Sequence, residues 1–143
     1  MNDKTVGSVH WSFWVIGAVA LIWNVMGTMN FFVQMNADAL AAYPAAERAI
    51  VEGRPAWATG AFAIAVFGGT LGSLLLLLRK SAAFYVFIAS LLGVVVTHIH
   101  TLRVASSAVD FGLAVIAAIS MSVVVAAFLI GYSKLAESKG WIS

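Results

Sequence analysis

Hydrophobic residues occupy this chain in four continuous blocks that neither alternate with a period of two nor keep to one helical stripe. The first, Trp11 to Val33, is 23 residues without a charge. As a helix it would be about 35 Å long, enough to cross a hydrocarbon core of about 30 Å with some tilt. A second block runs from Ala56 to Leu78 and stops at Arg79-Lys80, a third from Ser81 to Leu102 stops at Arg103, and a fourth from Phe111 to Ser133 stops at Lys134. Backbone in lipid must satisfy its own hydrogen bonds, and unbroken apolar runs do so as helices, whereas a membrane barrel needs alternation. The pattern predicts an all-α integral membrane protein, a four-transmembrane-helix bundle in a single domain over residues 1–143.

The long connection, Gln34 to Pro55, contains both prolines of the chain. Pro44 suits a first helical position and Gly53 a stop. Ala46, Ala49 and Ile50 share one side, while Arg48 and Glu52 form an i,i+4 pair on the other. A short helix lying on the membrane surface as a lid between spans 1 and 2 is expected.

Composition removes whole classes. Only 10% of residues are charged and 62% are hydrophobic, with a mean hydropathy of +0.99, against about 25% charged in a soluble domain. The main partner is therefore the lipid bilayer. A net charge of +2, with no basic run beyond Arg79-Lys80, leaves no footprint for nucleic acid. Without cysteine there is no disulfide, thiolate metal site or thiol redox chemistry. That excludes the small four-helix enzymes that pass electrons from paired cysteines to quinone.

Ala37-Asp38-Ala39 imitates a signal-peptide cleavage site, but the first block is far longer than the roughly 7–15 residues of a signal core. It reads as a span. Four spans put the termini and the Arg79-Lys80 turn on one side, with Lys4, Arg79, Lys80, Lys134 and Lys139, leaving Arg48, Arg54 and Arg103 on the other. The excess of basic residues favours cytoplasmic termini, and Trp11, Trp14, Trp57 and Tyr132 fall where aromatic rings anchor spans at the interfaces.

Small residues supply the expected packing surfaces, because apolar area gives helices no net drive to associate in lipid. Gly68 and Gly72 form one row in the second span, and Ala61, Ala65, Gly69 and Ser73 another. Ala89, Gly93 and Thr97 make a shorter row in the third, and Ala114, Ala118, Ser122 and Ala126 a stripe in the fourth. These stripes suit packing within one bundle or, alternatively, a homodimer seam.

No Asp, Glu, Lys or Arg lies mid-span, which separates the chain from the small multidrug antiporters with a carboxylate in their first span. Neither Pro44 nor Pro55 supplies the Pro-Gln helix break of the small sugar-permeating half-transporters. The polar candidates are Asn24 with Thr28 about 40° away around the helix, and Asn30 with Gln34 nearer the lid. Each amide reads either as interhelical glue or as ligand recognition. Trp23 is too deep for an interface belt and reads as core or as the wall of an apolar pocket. His98 and His100 end the third span near Arg103 and Asp110. Two positions apart, they point roughly 200° from each other on a helix and cannot share one metal unless the helix has already frayed there. His10 lies at the opposite face, which argues against a haem pair. Interfacial histidines reaching to water are expected. No metal or cofactor is called for, and no nucleophile–base pair or phosphate loop suggests an enzyme.

Leu21-Ile22-Trp23-Asn24 with Gly27, Pro55-Ala56-Trp57, the segment Val66 to Lys80 around Gly68-Gly69-Thr70-Leu71-Gly72, and Ser90-Leu91-Leu92-Gly93-Val94 resemble a group of small bacterial inner-membrane proteins often labelled sugar transporter. The resemblance covers most of the first three spans. It implies a multi-pass protein of the bacterial cytoplasmic membrane and a solute-transport class, and it names no binding residue. The expected function is that of a small-solute transporter or solute-binding protein, with Asn24, Thr28, Asn30, Gln34 and His98 around a cavity open to the outer side. The alternative is a non-catalytic accessory or assembly subunit docked on a larger membrane complex.

The charge bias makes a topology prediction. A periplasm-active reporter inserted near Glu47 should work and the same reporter fused after Ser143 should fail; the opposite pattern would reverse the orientation.

Overall fold

The computed structural model describes residues 9–107 and 113–143. Among them are six helices and no strand. The chain is a membrane protein whose four long helices, α1 (Trp11–Met35), α4 (Ala56–Leu77), α5 (Ala82–Ser107) and α6 (Leu113–Ser138), are long and apolar enough to cross a membrane. Between α1 and α4 lie α2 (Ala37–Leu40) and α3 (Ala45–Glu52), which form the expected lid. The long helices overrun the apolar blocks: α5 continues past Arg103 to Ser107, and α6 past Lys134 to Ser138. Lys4, Asp110 and Phe111, used in the sequence reading, lie outside the described residues, as does the side chain of Ala114.

Helix ends follow local chemistry. His10 caps α1 by accepting from the Ser12 amide at 3.2 Å. Asn36 ends α1 and caps α2 through Oδ1 to the Ala39 amide at 3.0 Å. Pro44 stands at the N-cap of α3, one position before the expected first turn, and Gly53 ends that helix. The apolar side of α3 is narrower than expected: Ile50 is buried, whereas Ala46 and Ala49 stay exposed. Arg48 and Glu52 face each other at 4.0 Å.

Two helices stop in the same way at the opposite end. After α4, Arg79 takes the left-handed conformation (φ 62°), and the Lys80 amide reaches back to the Leu75 carbonyl at 2.8 Å. After α6, Gly140 (φ 74°) does likewise, with Trp141 N–H on the Ala136 carbonyl at 2.9 Å. A left-handed arginine is strained, and the C-terminal segment holds it. Arg79 Nε donates to the Trp141 carbonyl at 2.7 Å, and the Ser143 amide donates to the Arg79 carbonyl at 3.1 Å.

The four long helices form a row in which α1 packs on α4, α4 on α5 and α5 on α6. Small residues set the central contact. Gly68 lies against the backbone of Ser90, Gly72 under the Phe87 ring, and Gly93 against Ala61 O and the backbone of Ala65. Ser90 Oγ donates to the Ala65 carbonyl at 2.6 Å. The two rows expected on α4 are therefore divided differently. Ala61, Ala65, Gly68 and Gly72 meet α5, while Gly69 and Ser73 meet Asn24 of α1. Residues four apart advance about 40° around a helix, so a long i,i+4 row turns from one neighbour to the next.

The ends of the row, α1 and α6, meet at the turn end. There Phe13 stacks on Tyr132 (ring centroids 6.5 Å apart) and edges Trp141 at 6.0 Å. With Leu76, Ala83, Phe87, Leu129, Ala136 and Ile142 they make the apolar core. Tyr132 is thus core and not an interface anchor, whereas Trp11, Trp14 and Trp57 are exposed as expected. Val15, Val19, Ile22 and Met29 of α1 and Ile116, Val124 and Phe128 of α6 point outward into what is lipid.

The glycines separate into two kinds, which melting in detergent can test. Gly93→Ala would place its Cβ 2.6 Å from the Ala61 carbonyl oxygen, an atom that cannot swing aside. It should cost about 1–3 kcal/mol. Gly131 has open space around it, so Gly131→Ala should leave stability unchanged or raise it by up to about 1 kcal/mol. Equal melting of the two variants would refute the α4–α5 contact.

Candidate functional site

The pairing order leaves a wedge between α1 and α6, closed at the turn end and open toward the lid. A cleft of about 310 Å³ occupies it at mid-span, walled mainly by apolar side chains that include Trp23, Met26, Phe62, Val94, Val125 and Leu129. Above it, beneath the lid, is a more polar chamber of about 410 Å³ reached by Asn30, Gln34, Tyr43, Glu47, Arg54 and Thr101. Asn30, Phe62, Thr97, His98 and Ser122 border both, so the two spaces adjoin. Their sizes fall within the roughly 300–1,000 Å³ of ordinary ligand pockets.

Of the five candidate residues, Asn24, Asn30 and His98 line the cleft, and Asn30, Gln34 and His98 the chamber; Thr28 lines neither. Thr28 faces α4, with its Oγ1 3.2 Å from the Val66 carbonyl and 2.9 Å from Thr70 Oγ1. Asn24 borders the cleft but is committed elsewhere. Its amide donates to the Ala20 carbonyl at 2.8 Å and to Ser73 Oγ at 3.2 Å, and its Oδ1 sits in the notch left by Gly69. Ser73 in turn donates to the Gly69 carbonyl at 2.8 Å. Both residues therefore join α1 to α4.

Nearer the lid, Tyr43 O–H donates to Asn30 Oδ1 at 2.8 Å and Arg54 Nη1 to Gln34 Oε1 at 3.0 Å. The other residues singled out also find definite places. Ala118 is exposed toward the chamber instead of packed in a helix seam, and Ser122 bonds to His98 instead of forming a small-residue contact. Trp23 is a wall of the cleft and not core, being 38% exposed.

The two histidines of α5 diverge as their spacing requires. His98 Nε2 lies 2.6 Å from Ser122 Oγ, whose own proton goes to the Ile119 carbonyl at 2.9 Å. Hence Nε2–H is the donor, and Nδ1 is sealed from solvent without a partner among the described residues. His100 does not reach to water as expected. It is 6% exposed, donates to the Ile50 carbonyl at 3.2 Å and meets the edge of Trp57, so it pins the lid.

Arg54 is the residue that sequence reasoning passed over, since it counted only toward topology. It follows the lid helix and turns inward, with its guanidinium 4.8 Å from the centre of the Phe62 ring. Burial lowers its pKa below the ordinary guanidinium value, though not enough to discharge an arginine at neutral pH. No carboxylate lies within 4.0 Å of it among the described residues. The hint in the sequence was its place between Gly53 and Pro55, where a helix end and a span start hold the side chain at the chamber mouth.

Comparison of the chain with models of known protein families, with curated proteins and with solved structures found no match.

The Asn24–Gly69 fit yields a double-mutant prediction. Gly69→Ala would drive its Cβ into the Asn24 amide and should cost about 1–3 kcal/mol. Asn24→Ala forfeits an interhelical bond worth about 0.6–1.7 kcal/mol. Because Asn24→Ala also removes the obstruction, the double variant should melt higher than additivity requires, with a coupling of about 0.5–3 kcal/mol. Strict additivity would place Asn24 away from Gly69.

Proposed function

We propose that the chain is a solute-binding membrane protein of the transporter class, admitting an amphipathic solute at the lid end into the wedge between α1 and α6. One observation carries this reading: the two adjoining spaces grade from an apolar cleft at mid-span to a polar chamber under the lid. A bundle whose only task was to stay folded would gain dispersion contacts by closing that wedge. The topology expected from the charge bias makes the lid end the outer one.

A sugar suits the site less well. Each hydroxyl buried in the cleft would need its own partner, and the amide of Asn24 and the hydroxyl of Ser122 are already used within the protein. A solute with an apolar body and one polar end matches the gradient. At the turn end the Phe13, Tyr132 and Trp141 cluster closes the path, so transport would require that cluster to part. The accessory-subunit reading leaves the same wedge to be filled by a partner's helix.

Filling the cleft tests the proposal. Ala126 is buried on the cleft wall, and Ala126→Phe would occupy the space. In a panel of amphipathic compounds, a binder present at one hundred times its Kd should stabilise the unmodified protein by about 2.7 kcal/mol and Ala126→Phe by much less. If no compound separates the two and native purification yields a stoichiometric larger complex, the accessory reading replaces this one.

A further inference from the structure

We propose that the solute is a single-chain amphiphile with an acidic head, a carboxylate or a phosphate, whose head is held by Arg54 in the chamber and whose tail lies in the cleft against Trp23 and Phe62. This deepens the reading above and rests on it.

The chamber contains a cation with an unfinished environment. Among the described residues, one of the five N–H donors of Arg54 is engaged in a hydrogen bond, by Gln34. Its Nε is shielded from solvent with no acceptor among the described residues. A half-buried guanidinium whose Nε is cut off from water without an acceptor costs free energy that a carboxylate or phosphate recovers through paired, charge-assisted hydrogen bonds. Phe62 beneath it stabilises the charge from below without supplying an acceptor. Asn30 and Gln34 border the same space, and their side-chain amide N–H groups can donate to a head group's remaining oxygens.

Glu47 also borders the chamber, and its charge has another counterpart. It stands in the first turn of α3, where the unpaired amides of the helix start favour a carboxylate. Arg54, just before the start of α4, gains nothing of that sign there. The second half of the ligand follows from position. The chamber opens downward past Asn30, Thr97 and His98 into the apolar cleft, so a head on Arg54 places an attached chain between α1 and α6. A free small anion would leave that cleft unused, and a neutral amphiphile would leave Arg54 unpaired.

Trp23 provides the readout. The purified full-length protein in neutral maltoside micelles is titrated with a terminally brominated fatty acid at alkaline pH, and with its methyl ester, while tryptophan emission is followed. The acid should quench saturably, and Trp23→Phe should abolish the saturable part. Arg54→Gln, which keeps one hydrogen-bonding group, should weaken the acid by about tenfold or more and leave the ester unchanged. Unlabelled laurate and a lauroyl lysophosphatidate then compete against the bromo-acid, and the stronger competitor identifies carboxylate or phosphate as the preferred head.

Saturable quenching by acid and ester alike, unaffected by Arg54→Gln, would overturn the acidic-head assignment and leave the cleft reading standing. Displacement by acetate or inorganic phosphate at the same concentrations as laurate would overturn the role of the tail. Absence of saturable quenching by either probe would defeat both readings together. Should Arg54→Gln not fold, the acid-to-ester contrast in the unmodified protein decides the head group by itself, since equal affinity contradicts it.

Discussion

Everything in this bundle depends on how closely the backbones of α4 and α5 approach. Lipid gives two apolar helices no reason to meet beyond van der Waals contact and hydrogen bonding, so they must come close enough for both to count. Gly93 lets α5 rest on the Ala61 carbonyl and the Ala65 backbone, and Ser90 converts that proximity into a hydrogen bond with the Ala65 carbonyl. Gly68 and Gly72 continue the contact toward Ser90 and Phe87. The remaining helices are added to this pair: α1 is keyed to the other side of α4 by Asn24 in the Gly69 notch, and α6 packs on α5.

The same dependence explains the wedge. Among the described residues no small-residue seam joins α1 to α6, and they meet through large rings at one end, where Phe13, Tyr132 and Trp141 pack with Ile142. That end is further held by a backbone clasp, in which Ser143 and Trp141 bind the left-handed Arg79. At the opposite end the lid is attached by His100 on the Ile50 carbonyl and by Tyr43 on Asn30, contacts that cover the wedge without filling it. A tight end and an open end follow from bulky aromatic packing at one and polar tethers at the other.

Polar groups in the spans divide along this line. Asn24, Thr28, Ser73, Ser90 and Thr97 spend their hydrogen bonds on helix carbonyls or on one another, as hydrocarbon surroundings demand. Under the lid, Arg54 donates to Gln34 and holds its Nε shielded from solvent without an acceptor among the described residues. Stability accounts for the first group and offers no reason for the second.

The four spans, their limits within about a turn and a half, and the lid between the first two were legible in the amino-acid sequence, because length and polarity report the solvent that each segment meets. The small residues of α4 and the divergence of His98 and His100 were legible too, since both follow from 100° of rotation per residue. Partners were not. Whether Thr28 faces a cavity or α4, whether His100 reaches water or pins Ile50, whether Trp23 is core or wall, and whether Arg54 marks topology or lines a chamber all depend on which helices stand side by side. Nearly every face of these helices is apolar, so hydrophobic patterning cannot distinguish lipid from protein as a neighbour. Only contacts between residues far apart in the chain, such as Gly93 with Ala61 and Phe13 with Tyr132, decided the pairing and hence where the wedge lies.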